Sequence, residues 1–352
     1  MEKPTHQILN TIASNLGEPL SINQIKEKIR KKYGTAYYSN IYKQIKELES
    51  RGLLKSNSVG KSNIIKPNFD NDLTIDLFAE MELENKINFL TRRQEFLSIF
   101  SNTCSFINDM CFIKSISSIN SEKNSELNRL ELLFLLRRTF DYEDATCKLY
   151  KRTRDLQDKF NIRIDSLILN EDDFSSLIKT NEINPLKEAI TEEITFCCPQ
   201  LFWSQIKDVA EEGEIKTLQK EIEPRHIPEQ DLIYNLDRFG YKEFGYTISQ
   251  ATKYCIEYII TNLLLSDDAR KREAIPVLLA KNDFRINLLV FLCQKYKTGG
   301  KLLGLLKIVQ SIKPTNKVQN TILLMKSLFD ETEAPADEDT IMRNMRLYNV
   351  IQ

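Results

Sequence analysis

Histidine is scarce in this 352-residue chain, His6 and His226 being its only two. Neither stands near a plausible partner, so serine and cysteine nucleophiles have no base, and no zinc site of ordinary ligand spacing can be assembled. The seven cysteines include no Cys-x-x-Cys pair, and only Cys197 and Cys198 adjoin. That pattern reads as reduced thiols rather than a disulfide framework. Long apolar runs are missing as well: those around 132–136 and 286–293 fall far short of the roughly 20 residues a membrane helix needs. The opening MEKPTHQ has no apolar core for a signal peptide, so a cytoplasmic protein with no membrane partner is expected. Phosphate loops are absent too. Gly60-Lys61-Ser62 has Lys55 where the first glycine of such a loop belongs, and Gly299, Gly300 and Gly304 follow no strand.

The net charge is only −1, which argues against a nucleic-acid path over the whole surface. The distribution is uneven, however. Residues 1–70 hold twelve Lys and Arg against six Asp and Glu, a net of +6 that leaves −7 for the remainder. Within this basic region, 21–68 reads as helix, tight turn, helix and hairpin, preceded by a helix over 5–16 that Gly17 closes. Ile41, Ile45 and Leu48 share one face of the second helix of that unit, about 35–51, while Thr35, Ser39, Lys43 and Lys46 face the other way. Gly52 suits a left-handed cap, and the hairpin 55–66 turns at Val59-Gly60.

That order is a winged helix-turn-helix, in which the second helix fits the major groove of double-stranded DNA and the wing reaches phosphate. Ser39 and Asn40 are the expected base contacts, with Tyr42 on the flank. Lys43, Lys46, Lys55 and Lys61 are the expected phosphate contacts. Winged helices also dock proteins, so a docking subunit of a larger complex is an alternative.

After 1–70, the expected divisions are connecting helices over 71–109, an α/β domain over 110–210, a charged linker over 211–228, and a helical bundle with an acidic tail over 229–352. The periodic face of 73–108 suits pairing with a second copy, and a homodimer would match paired DNA half-sites. Strands are expected over 110–119, 130–136 and 162–169, and helices over 142–160, 171–179 and 185–193. Trp203 is expected in the core. In the bundle, helical spacing runs from Ile248 through Tyr254 and Tyr258 to Leu263, and Gly299-Gly300 is expected to separate two helices. The class is multidomain α+β.

The 110–210 segment resembles the minimal nucleotidyltransferase fold, in the form that archaeal proteins join to a winged helix-turn-helix; IRIDSLILNEDDF, residues 162–174, carries the likeness. The resemblance aligns Ser117-Ser118 with a phosphate-holding Gly-Ser pair, Arg129 and Glu131 with a metal-binding Asp-x-Asp, and Asp165 with the third carboxylate. Arg129 sets a cation where a metal ligand belongs, and only Glu131 and Asp165 remain as carboxylates. A degenerate domain without catalytic residues, metal or cofactor is therefore expected, serving a transcription regulator or chromatin-associated factor. The alternative is an active magnesium-dependent nucleotidyltransferase using Glu131, Asp165 and Ser118.

Overall fold

The computed structural model describes residues 1–60, 62–119, 129–138, 141–218, 222–242, 248–330, 332 and 338–351. Lys61, expected on the hairpin, lies outside them, as does most of the acidic tail. The first unit runs α1 (Lys3–Ala13), β1 (Leu20–Ser21), α2 (Ile22–Tyr33), α3 (Tyr38–Ser50), β2 (Leu54–Val59) and β3 (Ser62–Pro67). The strands form an antiparallel sheet in the order β1-β3-β2. Ser21 opens α2 with a reciprocal capping box, its side chain accepting from the Gln24 backbone while the Gln24 side chain takes the Ser21 N–H. Ile8, Leu9 and Ile12 of α1 are buried with Ile25, Ile29, Ile41, Ile45 and Leu48, the inward faces that helical spacing predicts. Gly52 takes the left-handed conformation, φ 69°. Helix α1 stops at Ala13, short of the expected Leu16. Gly17 then serves close approach, since a Cβ there would lie 2.6 Å from the Thr217 backbone nitrogen.

Two helices follow, α4 (Leu73–Arg92) and α5 (Leu97–Asp109), joined by a 3-10 turn over Gln94–Phe96. The apolar face expected to meet a second copy is only partly used inside the chain, Leu73 and Leu97, the first residues of α4 and α5, being exposed. Phe78, Met81, Phe89, Phe96 and Phe100 are buried, while Leu83 and Ile87 stay exposed. Phe78 sits 4.4 Å from the Trp203 ring and Phe100 stacks 4.1 Å from Phe196, between ring centroids. Trp203 is thus a core residue, 2% exposed.

A four-stranded mixed sheet comes next: β4 (Ile113–Ile119), β5 (Arg129–Leu136), β6 (Arg163–Asn170) and β7 (Ile194–Cys197), in the order β6-β5-β4-β7. Only β5 and β6 run parallel, joined across α6 (Tyr142–Phe160). Strand β4 is buried at every position and β5 is buried apart from Arg129, as expected for strands covered on both faces. Helices α7 (Glu171–Lys179), α8 (Pro185–Ala189) and α9 (Pro199–Glu212) complete this part. Helix α8 ends before the expected Glu193 because the chain turns to form β7, a strand too short to show a period. Cys104 of α5 and Cys197 of β7 are joined by a disulfide, which corrects the expectation that all seven thiols are reduced. The two cysteines stand 93 residues apart, a spacing that no local pattern reveals.

The charged stretch expected as a linker or exposed helix opens on the exposed last two residues of α9, Glu211 and Glu212, but over 215–218 it is no free linker. It lies against the preceding helices, the Lys216 N–H donating to Ile178 O and the Leu218 N–H to Lys187 O. Beyond it come α10 (Glu229–Arg238), α11 (Ile256–Leu265), α12 (Ala269–Lys281), α13 (Ile286–Tyr296), α14 (Gly299–Ile312), α15 (Asn316–Leu328) and α16 (Glu338–Leu347). Residues 248–255 are not helical despite their spacing. Ile183 and Tyr254 form a bridge there, with the Cys255 N–H donating to Ile183 O, and tertiary pairing overrides the local pattern. Gly299 and Gly300 begin α14 rather than breaking two helices apart, because a side chain at either would strike Phe329 or Asp330. Helix α16 docks through Ile341 and Met345, both fully buried. No described helix is long and apolar enough to cross a membrane.

Candidate functional site

Helix α3 turns three apolar residues inward, so its other side is committed to solvent. Ser39, Asn40, Tyr42, Lys43 and Lys46 are all exposed on it. Thr5 ties the helix to α1 by donating its hydroxyl to the Gln44 side-chain oxygen at 3.0 Å. Lys43 is exposed and takes part in no ion pair among the described residues. Lys46 is engaged: its ammonium lies 2.6 Å from Glu49 and 5.8 Å from the Tyr42 ring centroid. The hydrogen bond it donates to Glu49 holds its pKa above the ordinary lysine value. Lys55, on β2, pairs with Asp70 at 3.1 Å. The predicted contacts that are described therefore cluster on α3 and β2, but two of the three lysines already carry a carboxylate.

Sequence reasoning missed the aromatic character of the start of α3. Tyr37 is 70% exposed and precedes the first helical residue, Tyr38, whose ring stacks on Tyr42 with centroids 5.9 Å apart. The adjacent Tyr37-Tyr38 pair at a helix start was the available signal, since large side chains are seldom left in solvent at such density.

The central carboxylates occupy a different setting. Glu131 of β5 and Asp165 of β6 are register partners on adjacent parallel strands, each 1% exposed. Arg129 bridges them, 2.8 Å from each; Arg163 reaches Asp165 at 3.0 Å and Lys295 of α13 reaches Glu131 at 3.2 Å. Two buried anions thus meet three cations. Such a cluster neutralises both buried carboxylates and ties the sheet to α13, and a divalent ion would have to displace a fixed cation to enter. Ser117 and Ser118 fall within the strand expected over 110–119, which does not suit the phosphate-holding role that the resemblance gives them. They lie inside β4 between β5 and β7, fully buried, rather than in a loop after the strand. Ser117 is bonded to the Thr195 hydroxyl at 2.9 Å, so neither serine presents a backbone cradle for phosphate. Among the described residues, no group of three or more His, Cys, Asp or Glu could hold a metal ion.

Glu82 of α4 lies behind this sheet, its carboxylate accepting from the Thr195 N–H at 3.0 Å. Burial pushes its pKa up to about 7 against the opposing hydrogen bonds. The pKa of Glu193 is also raised, first by burial and then by the Glu82 charge. Comparison of the chain with protein-family models, curated proteins and solved structures returned no match.

Proposed function

We propose that residues 1–70 are a winged helix-turn-helix that binds double-stranded DNA, with α3 in the major groove and the β2–β3 hairpin along the phosphates. The supporting observation is the exposed α3 face, which offers Ser39 and Asn40 for base edges beside the unpaired Lys43. The confinement of positive charge to this region agrees with it. The mixed-sheet unit is, on this reading, a degenerate nucleotidyltransferase-like scaffold whose carboxylates serve an internal ion cluster. The whole would act as a transcription regulator or chromatin-associated factor in the cytoplasm. A homodimer belongs to the same proposal and would rest on Leu83 and Ile87, one turn apart on α4 and both exposed; light scattering at high protein concentration tests it, and a clean monomer removes it.

Duplex affinity measured by anisotropy over a salt series tests the DNA reading, with the intact protein against Lys43→Ala. Binding through this face requires a steep dependence whose log-log slope shallows by about 0.9 when one phosphate contact is lost. An unaltered slope would move the contact elsewhere. A second reading, protein docking, is favoured by Tyr37, Tyr38 and Tyr42, because aromatic side chains anchor protein interfaces. A Tyr37→Ala/Tyr38→Ala variant that keeps full DNA affinity but loses a partner retained at high salt would favour docking.

A further inference from the structure

Helices α1 and α4 come from distant parts of the chain, yet they face each other across a polar cleft of about 880 Å³. Lys3, His6 and Asn10 line it from α1, and Asn85, Asn88 and Arg92 from α4. Each trio has the spacing i, i+3, i+7, so each is one continuous polar stripe on its helix. Where the helices touch, the stripes are bonded to each other. The Asn85 amide donates to Asn10 Oδ1 at 2.9 Å, the Asn10 amide donates back at 3.0 Å, and His6 Nε2 lies 2.9 Å from Asn85 Oδ1. This array fixes the wall of the cleft.

Beyond it the lining changes character, with Lys32 lying 5.7 Å from the centroid of the Tyr33 ring. The Asn88 amide has no partner among the described residues, and neither Lys3 nor Lys32, at the end of α2, is in an ion pair. Tyr33, half-buried beside Lys32, also faces the cleft. Across the cleft stand Glu192, which is already engaged, and Glu193, whose pKa burial and then the Glu82 charge raise well above the ordinary carboxylate value.

These groups select a ligand. Two lysines in no ion pair among the described residues fit a phosphate, an asparagine amide sets a donor and an acceptor side by side as a base edge requires, and the tyrosine ring beside Lys32 offers a stacking surface. The volume falls within the range of about 300–1,000 Å³ typical of small-molecule sites. We propose that the cleft between α1 and α4 binds a mononucleotide, with its phosphate on Lys3 and Lys32 and its base against Asn88 and Tyr33. The site is separate from the exposed face of α3, and its test does not involve DNA.

Titration calorimetry of the intact protein with AMP, GMP, CMP and UMP, and with adenosine and inorganic phosphate as controls, decides the matter. At least one nucleotide should bind in the micromolar range. Lys32→Ala and Asn88→Ala, both at exposed positions, should each weaken it by about tenfold or more. Absence of heat with all four nucleotides at millimolar concentration overturns the proposal. So does unchanged affinity in both variants, and so does inorganic phosphate binding as tightly as any nucleotide, which would leave an anion site with no reading of the base.

Discussion

Glu82 shows how one buried side chain makes the stability of the protein depend on pH. Its folded pKa is about 7 against an ordinary 4.5, chiefly through burial. Below pH 4.5 the carboxyl is neutral in both the folded and the unfolded chain, and its contribution is at its best. As the pH rises from there to about 7, the unfolded chain gives up its proton first, so the folded state loses stability progressively and then levels off. The loss amounts to about 3 kcal/mol. Glu82→Gln, which keeps an acceptor for the Thr195 N–H, should remove that slope and be more stable than the natural chain above neutrality. Urea midpoints across the range would show the two chains converging in acid. A constant difference would mean that Glu82 ionises freely. Arg129 carries the opposite lesson, because its charge is needed where it is buried. Arg129→Leu would remove the cation shared by Glu131 and Asp165, leaving Lys295 beside the first and Arg163 beside the second, and should cost about 3 kcal/mol or more, read as a drop in urea midpoint. A neutral result would show that the remaining two cations suffice.

At the scale of elements, the parts that could be read ahead were those whose pattern is local. Helices α6 and α7 begin and end where the periodicity puts them, and Ser21 caps α2 as a serine before an Ile-x-x-Ile repeat should. What escaped was decided by distant partners. Strand β7 has four residues, too few for alternation to register, and it exists because β4 offers an edge to it. The stretch before α11 has helical spacing, yet Ile183 draws it into a bridge. Glycine misled for the same reason. Gly299 looks like punctuation in the sequence, but its missing side chain makes room for the Phe329 ring, 30 residues on. Gly299→Ala should therefore destabilise the protein by about 1–3 kcal/mol although alanine is the better helix former. Thermal unfolding would detect it, and an increase in stability would show that Phe329 yields without cost. The same limit applied to the candidate sites. The α3 face could be anticipated because it is one helix, whereas the Glu131–Arg129–Asp165 cluster and the α1–α4 cleft each needed two or more elements to be brought together.

Across the whole molecule, the sequence shows charge separation plainly and covalent connection hardly at all. The +6 of the first 70 residues is a matter of counting, but the Cys104–Cys197 bond joins α5 to the edge strand β7 across 93 residues. That loop contains β4, β5 and β6, so the bond encloses most of the mixed sheet. Cross-linking so long a segment restricts the unfolded chain more than the folded one, and chain-entropy reasoning assigns about 4.6 kcal/mol to it. Cys104 stands on a helix that also packs Phe100 against Phe196 beside Cys197, so the two elements remain apposed by aromatic stacking when the bond is broken. Cys104→Ser/Cys197→Ser should accordingly fold to the same structure and unfold at a clearly lower urea concentration, while the natural chain treated with reductant should match the variant. If reductant leaves the midpoint of the natural chain unchanged and thiol counting under non-reducing conditions finds all seven cysteines free, the sheet is held by packing alone and the expectation of reduced thiols stands.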